Sequence, residues 1–137
     1  MTFDIRSQIS RFETAINTAD EALMNELVDA SAPFYTPASP EPLYGAAGFL
    51  ALIRFMREGF PDIQWKLEET VAEADKIAVR WTCSGTHQGT FMGVPPTGKR
   101  FSVGVMNFYD FNSEGKIIRD TAAEGMIGIV RAIGLLP

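Results

Sequence analysis

Apolar residues recur at helical spacing through the first sixty positions of the chain. A first helix is predicted from an apolar face with spacings of four, three and four, formed by Ile5, Ile9, Phe12 and Ile16. Thr18 and Glu21 fit a capping box at the start of a second helix, which ends before Pro33. A third helix is predicted over residues 46–58, with Gly59 as its C-cap.

The segment between the second and third helices is rich in proline. The stretch PFYTPASPEPLYG, residues 33–45, contains four prolines. Each proline removes a backbone donor and restricts the residue before it. We therefore expect a loop here, with one short edge strand at most.

After Pro61 the apolar pattern changes to alternation with a period of two, which is typical of strands. The alternating stretches lie near residues 63–67, over residues 77–83, over residues 101–111 and over residues 116–123. The last two are joined by Asn-Ser-Glu-Gly, a hairpin turn in which Gly115 would supply a positive φ.

Helices followed by a run of antiparallel strands predict an α+β fold. We expect a cone-shaped barrel in which a curved, mostly antiparallel sheet wraps around the N-terminal helices, in one domain over residues 1–137. Because helices and a concave sheet cannot fill the wide end of such a cone, a small-molecule pocket is expected there.

Composition and charge limit the kinds of binding partner and the cellular compartment expected for the protein. Seventeen acidic against twelve basic residues give a net charge of −5, which would repel a phosphate backbone, so we expect no nucleic-acid partner. Cys83 is the single cysteine, which excludes an internal disulfide and a cysteine-rich zinc site and suits a reducing compartment. The sequence has no secretory-signal pattern and no run of eighteen apolar residues, so a cytoplasmic protein with no membrane partner is expected.

The single histidine, His87, lies in SGTHQGTFMGVPPTGKR, residues 84–100. Counting in twos from Val79 places it on the apolar face of its strand, where it would face the pocket if the strand extends that far. There it would serve as a general base or hold a water molecule. In the alternative interpretation, Gly85 and Gly89 mark a bend and the imidazole caps the strand through a hydrogen bond. A lone histidine does not indicate a metal site.

Two polar residues interrupt apolar strand faces. Asp120 lies in KIIRDTAA, with Ile118 and Ala122 as its expected neighbours on the same face. Desolvation there would raise the pKa of its carboxyl group and make it a usable acid or base, whereas an outward Asp120 would pair with Arg119 or a lysine. Asn107 is either a satisfied core amide or a residue that orients a substrate oxygen.

Aromatic side chains are the candidates for the pocket wall and for contact with a substrate. The set consists of Tyr35, Trp65, Trp81, Phe91 and Tyr109. Aromatic residues in alternating strands also fill ordinary cores, so the pattern leaves both roles open.

Residues 60–100 carry a specific series of motifs. They are Phe-Pro-Asp, then Asp-x-x-x-x-Arg-Trp, then Gly-Thr-His-x-Gly-x-Phe-x-Gly-x-Pro-Pro-Thr-Gly-Lys. The series resembles the SnoaL-like polyketide cyclases, also called predicted ester cyclases, of the nuclear transport factor 2-like superfamily. Weaker similarity extends to YTP, YGAAGF, GKII and GMIGIVRAIG, so it covers most of the chain.

The resemblance implies a homodimer with packed sheets and an intramolecular aldol reaction of a polyketide ester. It also implies an aspartate as acid/base, a pocket histidine, and no metal or cofactor. Asp120 and His87 are the candidates for these two catalytic residues. We expect a cofactor-independent catalyst that cyclises or isomerises a hydrophobic carbonyl or ester compound.

The alternative hypothesis is a non-catalytic protein that binds a small hydrophobic ligand in the same pocket. It is suggested by departures from the family pattern. Many relatives have His in place of Tyr35, Arg in place of Asp110, and a Glu-x-Trp pair in the strand where this chain has Arg119-Asp-Thr121. These departures are expected to change the polar groups of the pocket.

Overall fold

A computed structural model describes residues 4–35, 40–123 and 125–135 of the chain. The elements in chain order are α1 (Ile5–Thr18), α2 (Glu21–Leu27), β1 (Pro33–Tyr35), β2 (Leu43–Tyr44), α3 (Gly45–Gly59), β3 (Gln64–Glu73), β4 (Lys76–Thr86), β5 (Arg100–Phe111), β6 (Ile117–Ala123) and α4 (Gly125–Ala132). The three predicted helices and four predicted strands are confirmed. The proline-rich segment contains two short strands rather than one at most, and its residues 36–39 lie outside the described residues.

The strands form one sheet in the order β2-β1-β6-β5-β4-β3. Neighbouring strands are antiparallel except β1 and β6, which are parallel. The sheet is curved but does not close into a complete barrel, and the N-terminal helices lie with it in an α+β arrangement. The predicted fold class is confirmed. Within the described residues, no helix is long and apolar enough to span a membrane.

The main core lies between the inner face of the sheet and helices α1 and α3. Phe12 of α1 is at its centre, with its ring 5.2 Å from that of Phe49 and 5.5 Å from that of Tyr109. A second apolar cluster lies toward the end of α3, where Phe60 packs against Phe101 and Phe91. The apolar helical faces in the sequence therefore become the surfaces that pack on the sheet.

The beginning of α2 differs from the prediction. The N-cap is Asp20, whose carboxylate accepts the backbone N–H of Leu23 at 3.0 Å. Thr18 instead ends α1 and donates its hydroxyl to the carbonyl of Thr14. The chain turns at Ala19, with φ 51°, so the first free N–H groups of α2 face Asp20 rather than Thr18.

Gly59 is the last residue of α3 and not its C-cap. The C-cap is Phe60, with an extended φ of −132°. A Cβ atom on Gly59 would lie 2.7 Å from the Cβ of Phe91. Glycine at this position is therefore required by close packing rather than by a left-handed backbone.

The hairpin between β5 and β6 determines which residues of β6 face inward. Gly115 has φ 76°, as the sequence predicts. Beyond this turn the pairing shifts, because Phe111 is paired with Ile117 whereas Asp110 is paired with Arg119. Ile118 is the extra residue of a bulge and is 39% exposed. The expectation that Ile118 shares a face with Asp120 is therefore wrong.

Candidate active site

A cavity of about 120 Å³ lies between the inner face of the sheet and helices α1 and α3. It is near the size of an engineered apolar cavity of about 150 Å³ that binds benzene, so it can hold a single ring. Its wall is mostly apolar, and its members with a polar atom are Tyr35, Trp65, Trp81, Cys83, Asn107, Tyr109 and Asp120. No lysine, arginine or histidine of the described residues contributes to the wall.

Asp120 is held inside the fold by its position on β6. This strand lies between β1 and β5, and Asp120 is directly opposite Phe34 on one side and Tyr109 on the other. Its side chain is 4% exposed and lines the cavity. The alternative of an outward carboxylate paired with Arg119 is wrong, because Arg119 is exposed on the opposite face.

The carboxyl group of Asp120 has a single hydrogen-bond partner among the described residues. The Nδ2 atom of Asn107 donates to its Oδ1 at 2.7 Å. Burial raises the pKa of Asp120 to about 7, and the bond from Asn107 lowers it by less. Asp120 can therefore both accept and return a proton near neutral pH.

Tyr109 and Trp81 form a second polar pair in the cavity. The indole Nε1–H of Trp81 donates to the phenol oxygen of Tyr109 at 3.2 Å. Burial, and then the charge of Asp120, raise the pKa of Tyr109 well above its ordinary value, against the effect of the Trp81 bond. Burial also raises the pKa of the Cys83 thiol to about 12, so Cys83 is not a nucleophile at neutral pH.

Comparison with known protein families shows to which family the chain belongs. The sequence profile of the family SnoaL-like polyketide cyclase matches residues 7–133, which is most of the chain. The chain belongs to the SnoaL-like polyketide cyclase family. No curated protein matches its sequence.

Solved structures with the same fold include three proteins from Streptomyces species. IdmH, a proposed polyketide cyclase from Streptomyces antibioticus, has a TM-score of 0.82 at 25% identity, with 96% of this chain and 99% of IdmH covered. TsrD from Streptomyces laurentii has a TM-score of 0.80 at 26% identity, with 96% of both chains covered. AclR, a proposed hydroxylase from Streptomyces galilaeus, has a TM-score of 0.80 at 27% identity, with 97% of both chains covered.

His87 lies outside the cavity of this SnoaL-like chain. Strand β4 ends at Thr86, one residue before it, and the imidazole is fully buried in the second apolar cluster, 5.5 Å from the ring of Phe60. Its Nδ1 accepts the backbone N–H of Thr97 at 3.2 Å and lies 2.9 Å from the Thr97 hydroxyl. Because Nδ1 accepts, the proton is assigned to Nε2, which has no partner among the described residues.

Phe91 also lies outside the cavity, because the chain leaves the sheet after His87. The backbone N–H groups of Gln88 and Gly89 donate to the carbonyl of Gly59 at 3.0 Å, so the chain after β4 crosses onto the end of α3. Phe91 then packs 4.8 Å from the ring of Phe60. The expectation that His87 and Phe91 face the same cavity as Asp120 is wrong. His87 follows the alternation of β4 to the buried face, but at this end of the sheet it meets Phe60 of the second apolar cluster, and Phe91 lies beyond the point where the chain leaves the sheet.

The structure brings together the other predicted site residues, namely Tyr35, Trp65, Trp81, Asn107, Tyr109 and Asp120. Tyr35 is 49% exposed and lies at the cavity's edge. Sequence reasoning missed the contribution of Phe12, Phe34 and Phe49, whose rings also line the cavity. The helical periodicity of Phe12 and Phe49 indicated burial, but nothing local distinguished a cavity wall from a filled core.

Most departures from the SnoaL-like pattern do not affect the cavity. Asp110 bonds to Lys76 at 2.9 Å, and neither residue lines the cavity. Arg119 and Thr121 are exposed, because they flank Asp120 on an alternating strand. Tyr35 is the one departure that lines the cavity. The expected loss of polar pocket groups is therefore wrong at three of these positions.

Within the described residues, no three His, Cys, Asp or Glu side chains are grouped to hold a metal ion.

The burial of Asp120 makes stability depend on pH. Its pKa is about 7 in the folded protein against an ordinary value of 3.8, so the folded chain retains a proton that the unfolded chain has released. This stabilisation is complete below pH about 4 and is lost as the pH rises through about 7. Between pH 6 and pH 8, the free energy of unfolding should fall by about 1 kcal/mol more in wild type than in Asp120→Asn. Urea unfolding at both pH values measures it, and equal falls would contradict a buried, titrating Asp120.

Proposed function

We propose that the chain is a cofactor-independent acid/base catalyst of the SnoaL-like cyclase type, acting on a small hydrophobic carbonyl or ester compound. The observation that carries this proposal is the carboxyl group of Asp120, which is buried in an apolar cavity and has a pKa of about 7. The single cysteine supports a reducing compartment such as the cytoplasm as the place where it acts.

The proposed chemistry begins with removal of a proton from the carbon next to a carbonyl group. A carboxylate oxygen of Asp120 accepts the proton, the C–H electron pair forms a C=C bond, and the carbonyl π pair moves onto oxygen to give an enolate. In a cyclisation, the enolate carbon attacks a second carbonyl of the same molecule, and Asp120 returns its proton to the new alkoxide. In an isomerisation, the proton returns to a different carbon. Both reactions conserve atoms and electrons, and neither needs an oxidant.

The relatives support the cyclase type but do not by themselves specify the reaction. IdmH is a proposed polyketide cyclase, whereas AclR, with the same fold, is a proposed hydroxylase. Function therefore has to be argued from the site rather than from the fold. In this chain, the buried Asp120 and a wall without cations among the described residues favour proton transfer on a neutral molecule.

Exchange of α-hydrogen for deuterium tests the proposal without knowledge of the natural substrate. Acetophenone, cyclohexanone and methyl acetoacetate are incubated with the protein in D₂O and analysed by mass spectrometry. We expect deuterium incorporation above the buffer rate for at least one compound that fits a single-ring cavity. Saturable binding of these compounds with no exchange would overturn the catalytic proposal and favour the non-catalytic binding protein.

We also infer that the chain forms a homodimer through the outer face of its sheet, as the family resemblance implies. Val71, Ala78 and Phe108 lie in one row across β3, β4 and β5 on that face. Val71 is 66% exposed and Phe108 is 53% exposed. Adjacent exposed apolar side chains of this kind are typical of protein interfaces.

Phe108→Glu is expected to convert a dimer into a monomer, because the charge would be desolvated in the centre of the proposed interface. Sedimentation velocity measures the change in mass. Met92→Glu is the control, because Met92 is also 53% exposed but lies in the loop after β4. A monomeric wild type, or a dimeric Phe108→Glu, would contradict this interface.

A further inference from the structure

An enolate formed in the cavity needs a hydrogen-bond donor for its oxygen, and the sequence indicated His87 and Asn107 for this role. His87 is outside the cavity. Asn107 lines the cavity, but one of the two N–H donors of its amide is used in the bond to Asp120. A donor that is independent of the base has to come from another polar group of the cavity wall.

Tyr109 is a buried residue of the cavity wall whose hydroxyl group can donate a hydrogen bond. The indole N–H of Trp81 can only donate, so in the 3.2 Å bond between them the phenol oxygen of Tyr109 is the acceptor. The O–H of Tyr109 is thus not used by Trp81, and no other partner of this hydroxyl occurs among the described residues. The bond also fixes the position of the oxygen, because both rings are almost fully buried.

Tyr109 and Asp120 are well placed to act on the same molecule. They are directly opposite each other on β5 and β6, and both line the cavity. Directly opposite residues on one face of a sheet have Cβ atoms about 5 Å apart. This separation suits a substrate in which the α-hydrogen and the carbonyl oxygen are on adjacent carbons.

We propose that Tyr109, positioned by Trp81, donates the hydrogen bond that stabilises the enolate oxygen while Asp120 removes the α-proton. The inference rests on the proposed function and adds a catalytic residue to it. The phenol proton stays on Tyr109 throughout, and only the α-proton moves, to Asp120. Burial keeps the phenol neutral by raising its pKa, so it acts as a donor and not as a base.

The same geometry defines the substrate class. A neutral ketone or ester has the oxygen that Tyr109 needs and requires no cation from the wall, which has none among the described residues. A carboxylate substrate would be repelled by ionised Asp120. The cavity of about 120 Å³ accepts one ring or a chain of similar volume. The substrate is therefore a neutral, enolisable carbonyl compound whose reacting part is the size of one ring.

The first test compares Tyr109→Phe with wild type in the deuterium-exchange assay. Removal of one oxyanion donor lowers catalytic rates by about 10²- to 10³-fold, and we expect a loss of at least about 100-fold. Tyr44→Phe is the matched control, because Tyr44 is 55% exposed and does not line the cavity. Exchange by Tyr109→Phe within about threefold of wild type would overturn the role of Tyr109, and the proposed function would stand.

The second test does not depend on turnover. Asp120→Asn removes the carboxylate charge, so its cavity is expected to bind 4-nitrophenolate, a one-ring oxyanion whose absorbance reports binding. Adding Tyr109→Phe should weaken nitrophenolate binding at least tenfold and leave binding of nitrobenzene, which has the same ring and no oxyanion, unchanged. Equal nitrophenolate affinity in the two proteins, or no binding to Asp120→Asn, would overturn the inference even if wild type shows no exchange.

Trp81 is tested as a positioning residue with the same pair of probes. Trp81→Phe in the Asp120→Asn background is expected to weaken nitrophenolate binding and to leave nitrobenzene binding unchanged. A purely structural role would weaken both. If Tyr109→Phe fails to fold because the indole N–H has lost its acceptor, the double variant Trp81→Phe with Tyr109→Phe removes both polar groups and serves instead.

Discussion

Asp120→Asn is expected to lower the rate of α-proton exchange by about 10³-fold, within the range for loss of a general acid/base. The substitution retains the shape of the side chain and its contact with Asn107, but an amide cannot accept the α-proton. Exchange rates with acetophenone or another compound that wild type deuterates measure the effect. Asp110→Asn is the matched control, because that carboxylate is paired with Lys76 and does not line the cavity.

The pH dependence of the same rate identifies the reacting group. Ionised Asp120 is the base, and its pKa is about 7, so the wild-type rate should rise as the pH increases and be half-maximal near pH 7. The residual rate of Asp120→Asn should show no such step. A variant that keeps more than about a tenth of the wild-type rate, or a wild-type profile without a step near pH 7, would contradict catalysis by Asp120.

The sequence predicted the fold well where the signal is local. Helical spacing identified α1 and α3, and alternation identified the four long strands, because each pattern extends over several turns or residue pairs. Predictions for single residues were wrong where two neighbouring residues suit the same structural role. Both Thr18 and Asp20 are good caps, and only the turn at Ala19 decides between them. The bulge at Ile118 was also not predicted, because two consecutive isoleucines, Ile117 and Ile118, give no sequence signal for an extra residue in the strand.

The residues of the candidate site were likewise predicted where local alternation decides their position, and not where long-range contacts do. Asn107 and Tyr109 line the cavity as alternation along β5 predicts. The direction of Asp120 was left open between an inward and an outward position, and the bulge at Ile118 interrupts the alternation just before it. His87 also lies on the buried face, as alternation predicts, but it faces the second apolar cluster rather than the cavity, because the segment after β4 packs on the end of α3. Those contacts join segments far apart in sequence, which local periodicity cannot report.

The Gly-Thr-His-x-Gly motif is explained by this long-range docking rather than by chemistry in the cavity. His87 is held by Thr97, and its backbone bonds to Gly98 and Lys99 continue the pairing beyond β4. Gly89, two residues later, donates its N–H to the carbonyl of Gly59 at 3.0 Å. The motif therefore closes the second apolar cluster at the end of α3, and its effect should be seen in stability.

Gly89→Ala is expected to destabilise the fold by about 3 kcal/mol, the upper end for an overpacked site. A Cβ atom on Gly89 would meet the backbone carbonyl oxygen of Glu58 at a separation that no non-bonded contact allows. The obstacle is backbone and not the end of a flexible side chain, so relief requires the segment to separate from α3. Thermal unfolding should show a fall in melting temperature of about 10 °C.

Gly104→Ala is the matched control for Gly89→Ala. Gly104 lies in the middle of β5, and an added Cβ there would have no atom within 4 Å. Its backbone is not left-handed, so alanine should leave the melting temperature unchanged or slightly raised through its lower entropy in the unfolded chain. If Gly89→Ala were as stable as Gly104→Ala, the segment after β4 would not be docked on α3 as described. The position of Phe91 outside the cavity would then lose its explanation, because that docking takes the chain away from the sheet after His87.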